Sequence, residues 1–269
     1  MSFDFSHLDR DWWPVLGPIL VFASFWVVLF FVFKFDLWRR GQTAFDERLE
    51  SHKPSFFISR DFVLFIVWLG HPIKRTIIRF GITPNMVTWV SVIFAAAGAF
   101  AAAHGWFAPA GMLFIVGGLC DVFDGWVARE TNQVSAAGSF LDSLLDRVSE
   151  LLMFGGYIYY YAGRIESAIA LVALGASQIF SYARAKGEAL QISGLAKAGV
   201  MGRAERVVSL SIASVVAPII SLVIEGQLPR PSFHIFAVVL TVVAVFSVAS
   251  LISRSRLIYV TLKQRAAQN

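Results

Sequence analysis

The sequence predicts an all-α integral membrane protein, with seven membrane-spanning helices and one amphipathic helix lying in the interface. Three observations predict it. Hydrophobic residues make up 57% of the 269 positions and charged residues 15%, and the mean hydropathy is +0.67, far too apolar for an ordinary soluble domain. Seven apolar runs approach the roughly twenty residues that a helix needs to cross a hydrocarbon core about 30 Å thick. The basic residues sort to one side of the loops that these runs define.

The net charge of +5 raises the question of nucleic acid, but the basic residues cluster beside apolar segments. The expected partner is an anionic lipid surface or a phosphorylated substrate, with no nucleic acid. A single cysteine, Cys120, excludes an internal disulfide and a cysteine-rich metal site, and is read as a small helix-packing residue. The opening MSFDFSHLDRDWWP carries acids where a signal peptide has a basic region, so no cleavage is expected.

Taken in order, the first run is 14–33, with Trp12 and Trp13 as interfacial anchors. Residues 34–54 mix Arg39, Arg40, Asp46, Glu47, Arg48, Glu50 and Lys53 and form a linker. In 59–80, Phe62, Phe65, Ile66, Leu69, Ile73 and Ile77 recur at helical spacing, while Arg60, Lys74, Arg75 and Arg79 interrupt the pattern. That is a helix lying in the membrane interface. It either holds anionic lipid at headgroup level or caps the bundle. ITPNMVT marks a turn, with Thr83 as the cap and Pro84 as the first helical residue of the next span. The other spans are 87–103, 108–127, 140–161, 167–182, 207–224 and 233–252. The domains are therefore 1–54 (extra helix and linker), 55–82 (amphipathic helix) and 83–269 (six-helix domain). With the N-terminus outside, only Arg10, Arg164 and Arg230 fall on the outer side, and the other 20 of 23 basic residues are cytoplasmic.

Residues 121–146 hold the chemistry. Asp121, Asp124 and Ala128 fall at i, i+3 and i+7 on one helix face, flanked by Gly125 and Arg129; Gly138, Asp142 and Asp146 follow at i, i+4 and i+8 on the next helix. Two antiparallel helices joined by a short loop are expected to aim the four carboxylates into one space at the cytoplasmic surface. Each aspartate at a bilayer centre costs about 2.5 to 3.5 kcal/mol, so four unpaired ones cost on the order of 10 kcal/mol. Arg129 and Arg147 can neutralise two; two divalent cations neutralise all four. Oxygen-only ligands suit Mg²⁺, Mn²⁺ or Ca²⁺ and argue against zinc. Taken alone the aspartates leave salt bridges or an ion pathway open. Gly125 and Ala128 shift the balance, because they let a ligand approach the backbone.

The pattern Asp121-x2-Asp124-Gly125-x2-Ala128-Arg129-x8-Gly138-x3-Asp142-x3-Asp146 resembles the full signature of the CDP-alcohol phosphotransferases, without a departure at its eight fixed positions. The resemblance implies a six-helix transmembrane bundle over about 83–256, with 14–33 an accessory anchor outside it. It also implies two divalent cations, Mg²⁺ or Mn²⁺, held by Asp121, Asp124, Asp142 and Asp146. Asp146 would in addition be the general base. Gly125, Ala128, Arg129 and Gly138 would shape the pocket for the CDP-linked donor, with Ser135 where the family often has threonine. The donor would be CDP-diacylglycerol and the acceptor an alcohol, with CMP released.

The acceptor is sought in the remaining basic residues. FSYARAKGEAL and GRAERVV bring Arg184, Lys186, Arg203 and Arg206 to the inner ends of two spans. They are either ordinary positive-inside residues or a clamp for a phosphate on the acceptor. GSFLDSLLDRVSE, SYARAKGE and the later ERV are similar to phosphatidylinositol-phosphate synthases, which implies inositol 1-phosphate as acceptor. Glycerol 3-phosphate ranks second, and a non-enzymatic cation transporter third. The expected setting is the inner, cytoplasmic membrane, with the active site on its cytoplasmic side. The small-residue stretch Ala95-Ala96-Ala97-Gly98 permits close helix packing and with it a homodimer.

Overall fold

The computed structural model describes residues 13–40, 60–192, 194–195, 199–225 and 233–268. Among them the chain is helical and holds no strand. Eight helices follow in order: α1 (Trp13–Arg40), α2 (Arg60–Arg79), α3 (Pro84–Ala103), α4 (Phe107–Glu130), α5 (Ala136–Tyr160), α6 (Ile165–Ala189), α7 (Arg203–Glu225) and α8 (Phe233–Gln268). Each expected span has its helix. Five of them, α1 over Ile19–Arg39, α3, α4, α6, and α8 over Ile235–Ala267, are long and apolar enough to cross a membrane. α5 and α7 carry charge instead, with Asp142, Asp146, Arg147 and Glu150 on one and Arg203, Glu205 and Arg206 on the other.

Helix boundaries depart from the apolar runs in a consistent direction. α1 continues through Lys34–Arg40, where a linker was expected, because its polar residues find partners on the helix surface. The Lys34 ammonium lies 5.5 Å from the Phe30 ring centre, and Asp36 accepts a hydrogen bond from Trp68 Nε1 at 3.0 Å. The rest of the linker, 41–54, and the Trp12 anchor lie outside the described residues. α6 runs on past its apolar stretch to Ala189, and α8 extends to Gln268 for a total of 36 residues.

The chain forms two compact units. One holds the described residues up to Trp89 together with Leu119–Leu141; the other holds Val90–Gly118 and the residues from Asp142 onward. In the first unit, α2 packs its apolar stripe on α1. Phe33, Leu37, Leu64 and Phe65 are buried, and the Phe65 ring meets Trp26, Phe30 and Phe33 edge-on at 5.6 to 5.9 Å between centres. Arg75 and Arg79 of α2 are exposed. Phe62 and Arg60 fall outside the described side chains. The turn into α3 is capped as expected, the Met86 N–H donating to Thr83 Oγ1 at 3.4 Å.

The second unit has an aromatic centre. Phe107, Phe114, Phe154, Tyr157, Tyr161 and Phe236 are buried there, with Phe236 4.6 Å from Tyr157 and 4.9 Å from Phe107 between ring centres. The one polar atom of this centre on Tyr157 is satisfied by the Ser214 hydroxyl at 2.5 Å. α4 and α7 approach backbone to backbone at Gly111, where a Cβ would come within 2.4 Å of the Ser211 carbonyl oxygen. Apolar lipid gives helices little reason to associate, so such close approach supplies the packing contacts that hold them.

Candidate active site

In the first unit the signature begins on the last turns of α4. Asp121 and Asp124 stand one helical turn apart, with Asp121 half-buried and Asp124 only 5% exposed. A buried carboxylate needs donors, and Thr88 supplies one: its Oγ1 donates to Asp124 Oδ2 at 2.7 Å. Gly125 follows Asp124, Ala128 is half-buried one turn on, and Arg129 is exposed at the helix end. The chain then reverses in five residues. Gln133 N–H donates to the Ala128 carbonyl at 2.9 Å, and Asn132 takes the left-handed conformation with φ of 54°. Asparagine tolerates that region, so the turn closes α4 without a glycine. Ser135 then caps α5, its Oγ accepting the Gly138 N–H at 3.0 Å. The hydroxyl read from the sequence as part of the donor pocket thus starts the second signature helix.

In the second unit Asp142 and Asp146 stand one turn apart on α5, with carboxylate oxygens within 4.8 Å of each other. A hard divalent cation binds oxygen at about 2.0 to 2.6 Å, so one ion can bridge such a pair. The donor set is oxygen-only, which fits Mg²⁺ or Mn²⁺. The arginine beside these acids is Arg203 at the start of α7, 2.5 Å from Asp146 Oδ1. Arg147, the neighbour expected from sequence, donates instead to the Ser143 carbonyl of its own helix.

The four basic residues considered for the acceptor occupy different environments. Arg184 and Lys186 are exposed on the last turns of α6, with Arg184 paired to Glu188 at 2.8 Å. Arg203 is half-buried. Arg206 is fully buried at 0% exposure: its Nε donates to Glu150 at 2.8 Å, its Nη2 to Ser177 at 2.6 Å and its Nη1 to the Met201 carbonyl at 3.3 Å. A guanidinium so engaged ties α5, α6 and α7 together and sets where Arg203, one turn earlier, stands. Sequence reasoning missed Glu150 and Thr88. Both lie far in sequence from their partners, and neither sits in the signature, so only their place in the fold reveals them.

Arg254 of α8 also escaped the sequence reading. Its guanidinium lies 3.4 Å from the Phe180 ring centre and donates to the Phe180 and Leu195 carbonyls at 3.1 and 3.0 Å. Ser250, one turn before it, accepts the Val200 and Met201 N–H groups at 3.0 and 2.9 Å. α8 thereby pins the described parts of the segment between α6 and α7, which carries the basic residues into place.

Residues 81–249 match the family model of the CDP-alcohol phosphatidyltransferases. The phosphatidylinositol phosphate synthase of Streptomyces avermitilis is 33% identical over 208 residues, covering 73% of this chain and 79% of that protein. An archaetidylinositol phosphate synthase of Pyrococcus horikoshii is 32% identical over 142 residues, or 53% of this chain and 74% of the relative. Among solved structures, Mycobacterium tuberculosis phosphatidylinositol phosphate synthase with CDP-DAG bound is similar at a TM-score of 0.61 and 26% identity, covering 71% of this chain and 94% of that one. The same protein in complex with manganese and citrate is similar at a TM-score of 0.61, covering 88% of that chain.

Proposed function

Because the chain belongs to the CDP-alcohol phosphatidyltransferase family, we propose that it transfers the phosphatidyl group of CDP-diacylglycerol to the hydroxyl of inositol 1-phosphate, releasing CMP. One observation carries the reading: the family match over residues 81–249 contains all four aspartates at the signature spacing. The choice of acceptor is supported by the phosphatidylinositol phosphate and archaetidylinositol phosphate synthases among its relatives.

Asp121, Asp124, Asp142 and Asp146 would hold two divalent cations, which would supply charge neutralisation for a diphosphate donor and its leaving group. Asp146 takes the proton from the attacking alcohol, a task for a carboxylate within hydrogen-bond reach of that hydroxyl. Thr88 holds the Asp124 carboxylate in orientation. Gly125, Ala128, Arg129 and Gly138 line the donor's cytidine and diphosphate. Arg184, Lys186 and Arg203 offer their charge to the acceptor's phosphate, Arg203 through a guanidinium fork that matches phosphate oxygens. Arg206 supports that clamp from behind through Glu150.

The N-terminus lies outside and the site faces the cytoplasm, a reading supported by the placement of 20 of the 23 basic residues. A homodimer is compatible with the exposed Ala96 and Ala97 of α3, and mass photometry of the purified protein reads it directly.

The test is CMP release by the purified full chain with CDP-diacylglycerol, Mn²⁺ or Mg²⁺, and in turn inositol 1-phosphate, free inositol, glycerol 3-phosphate or serine. Release with inositol 1-phosphate alone is expected, and it stops on adding EDTA. Release with glycerol 3-phosphate alone assigns the protein to phosphatidylglycerophosphate synthesis instead. Cation flux in proteoliposomes without CMP release overturns the transferase reading.

A further inference from the structure

The helix outside the family match is joined, contact by contact, to the half of α4 that carries Asp121 and Asp124. α1 holds α2 through the Phe65 aromatic cluster and through the Trp68 to Asp36 hydrogen bond of 3.0 Å. α2 in turn meets α4 at two places. Gly70 is buried flat against Trp126: a Cβ there would lie 2.0 Å from Trp126 Cζ3 and 2.7 Å from Cε3. One turn further, Lys74 Nζ pairs with Glu130 at 2.5 Å. Trp126 occupies a free position of the signature and stands about 200° round the helix from Asp124, on the side away from the aspartates.

We propose that α1 and α2 form a backing for α4, and that Gly70, Trp126 and Lys74 are positioning residues that set where Asp121 and Asp124 present their carboxylates to a divalent cation. The proposal rests on the metal-site reading above and deepens it. A carboxylate pair on the last turns of a helix is only as well placed as those turns. Metal affinity is sensitive to groups that orient the ligands, at about 10- to 100-fold per lost partner. At Trp126 the back of α4 meets the Gly70 surface of α2, which the Phe65 cluster joins to α1. The extra N-terminal helix is on this account part of the machinery for metal binding rather than an anchor alone.

The experiment uses the purified full chain and follows Mn²⁺ binding by the paramagnetic resonance of free Mn²⁺, with CMP release measured in parallel. Gly70→Ala is expected to weaken Mn²⁺ binding about tenfold, with a fall in kcat and little change in KM for the donor lipid. Trp68→Phe, which keeps the ring contact and removes the donor to Asp36, is expected to weaken it about threefold. Lys74→Glu sets two acids against each other and is expected to weaken it by a similar amount, and the exchange Lys74→Glu with Glu130→Lys to restore it. Should Gly70→Ala misfold, as judged by gel filtration and thermal unfolding, the Lys74 and Glu130 set decides. Wild-type Mn²⁺ affinity in folded Gly70→Ala, or no restoration in the exchange, overturns the proposal. If the wild-type chain binds Mn²⁺ with these sensitivities but releases no CMP from any acceptor, the transferase reading falls and the positioning role stands.

Discussion

Replacing Asp146 with asparagine keeps the size of the side chain and its ability to accept from Arg203, yet removes the basicity that proton abstraction needs. The Asp146→Asn protein is expected to fold and to lose CMP release by about 10²-fold or more, the usual weight of a general base. Retention of over about a tenth of the activity sinks Asp146 as the base. Thr88→Val probes the neighbouring carboxylate. Its loss leaves Asp124, 5% exposed, without the Thr88 donor at 2.7 Å. An approximately tenfold rise in the Mn²⁺ concentration for half-maximal CMP release is expected. Arg206 is a different case, because its worth is structural. Arg206→Ala strands Glu150, 2% exposed, without its guanidinium. A loss of about 3 to 5 kcal/mol is expected, measured as the stability of the purified protein in denaturant. At this scale the signature was legible, since its spacing alone places the aspartates one turn apart. Thr88, Glu150 and the burial of Arg206 were not, since hydrogen-bond partners 36 and 56 residues apart leave no local periodic trace.

Helices were legible where apolar runs define them and underread at their ends. A hydropathy pattern reports which residues lipid tolerates, whereas a helix stops where its backbone groups lose partners or its polar side chains find no neighbour. α1, α6 and α8 all continue past their apolar runs because such partners exist: Asp36 with Trp68, Arg184 with Glu188, and Arg265 with the Leu190 and Gln191 carbonyls at 3.0 and 2.8 Å. The last contact satisfies acceptors at the end of α6 with the extension of α8. Arg254→Lys tests this element. It keeps the charge but loses the planar fork that stacks on Phe180 and reaches two carbonyls. A destabilisation of about 1 to 3 kcal/mol is expected in thermal or denaturant unfolding, and no loss there removes α8 as the clip on the segment before α7.

For the molecule as a whole, the topology proposed from the positive-inside count can be checked without activity. In a Cys120→Ser background, Gln133→Cys in the loop between α4 and α5 is expected to react with an impermeant maleimide only after the membrane is opened. Ala162→Cys in the loop between α5 and α6 is expected to react from outside in intact cells. Both positions are exposed. The reverse pattern inverts the protein and moves the site to the outer face.

The sequence by itself determined that this chain is an all-helical membrane protein, and that four aspartates fall on two consecutive helices at the spacing of a phosphatidyltransferase signature. Those properties are local or compositional: hydrocarbon rejects charge, and 3.6 residues per turn converts spacing into a shared face. The tertiary structure alone decided which neighbours steady the aspartates, which arginine is spent on a buried glutamate and which stands beside Asp146, and that the helix ahead of the family domain leans on α4 through Gly70 and Trp126. Such pairings depend on where distant segments meet, and packing between helices is set by shape complementarity that no single stretch of chain encodes.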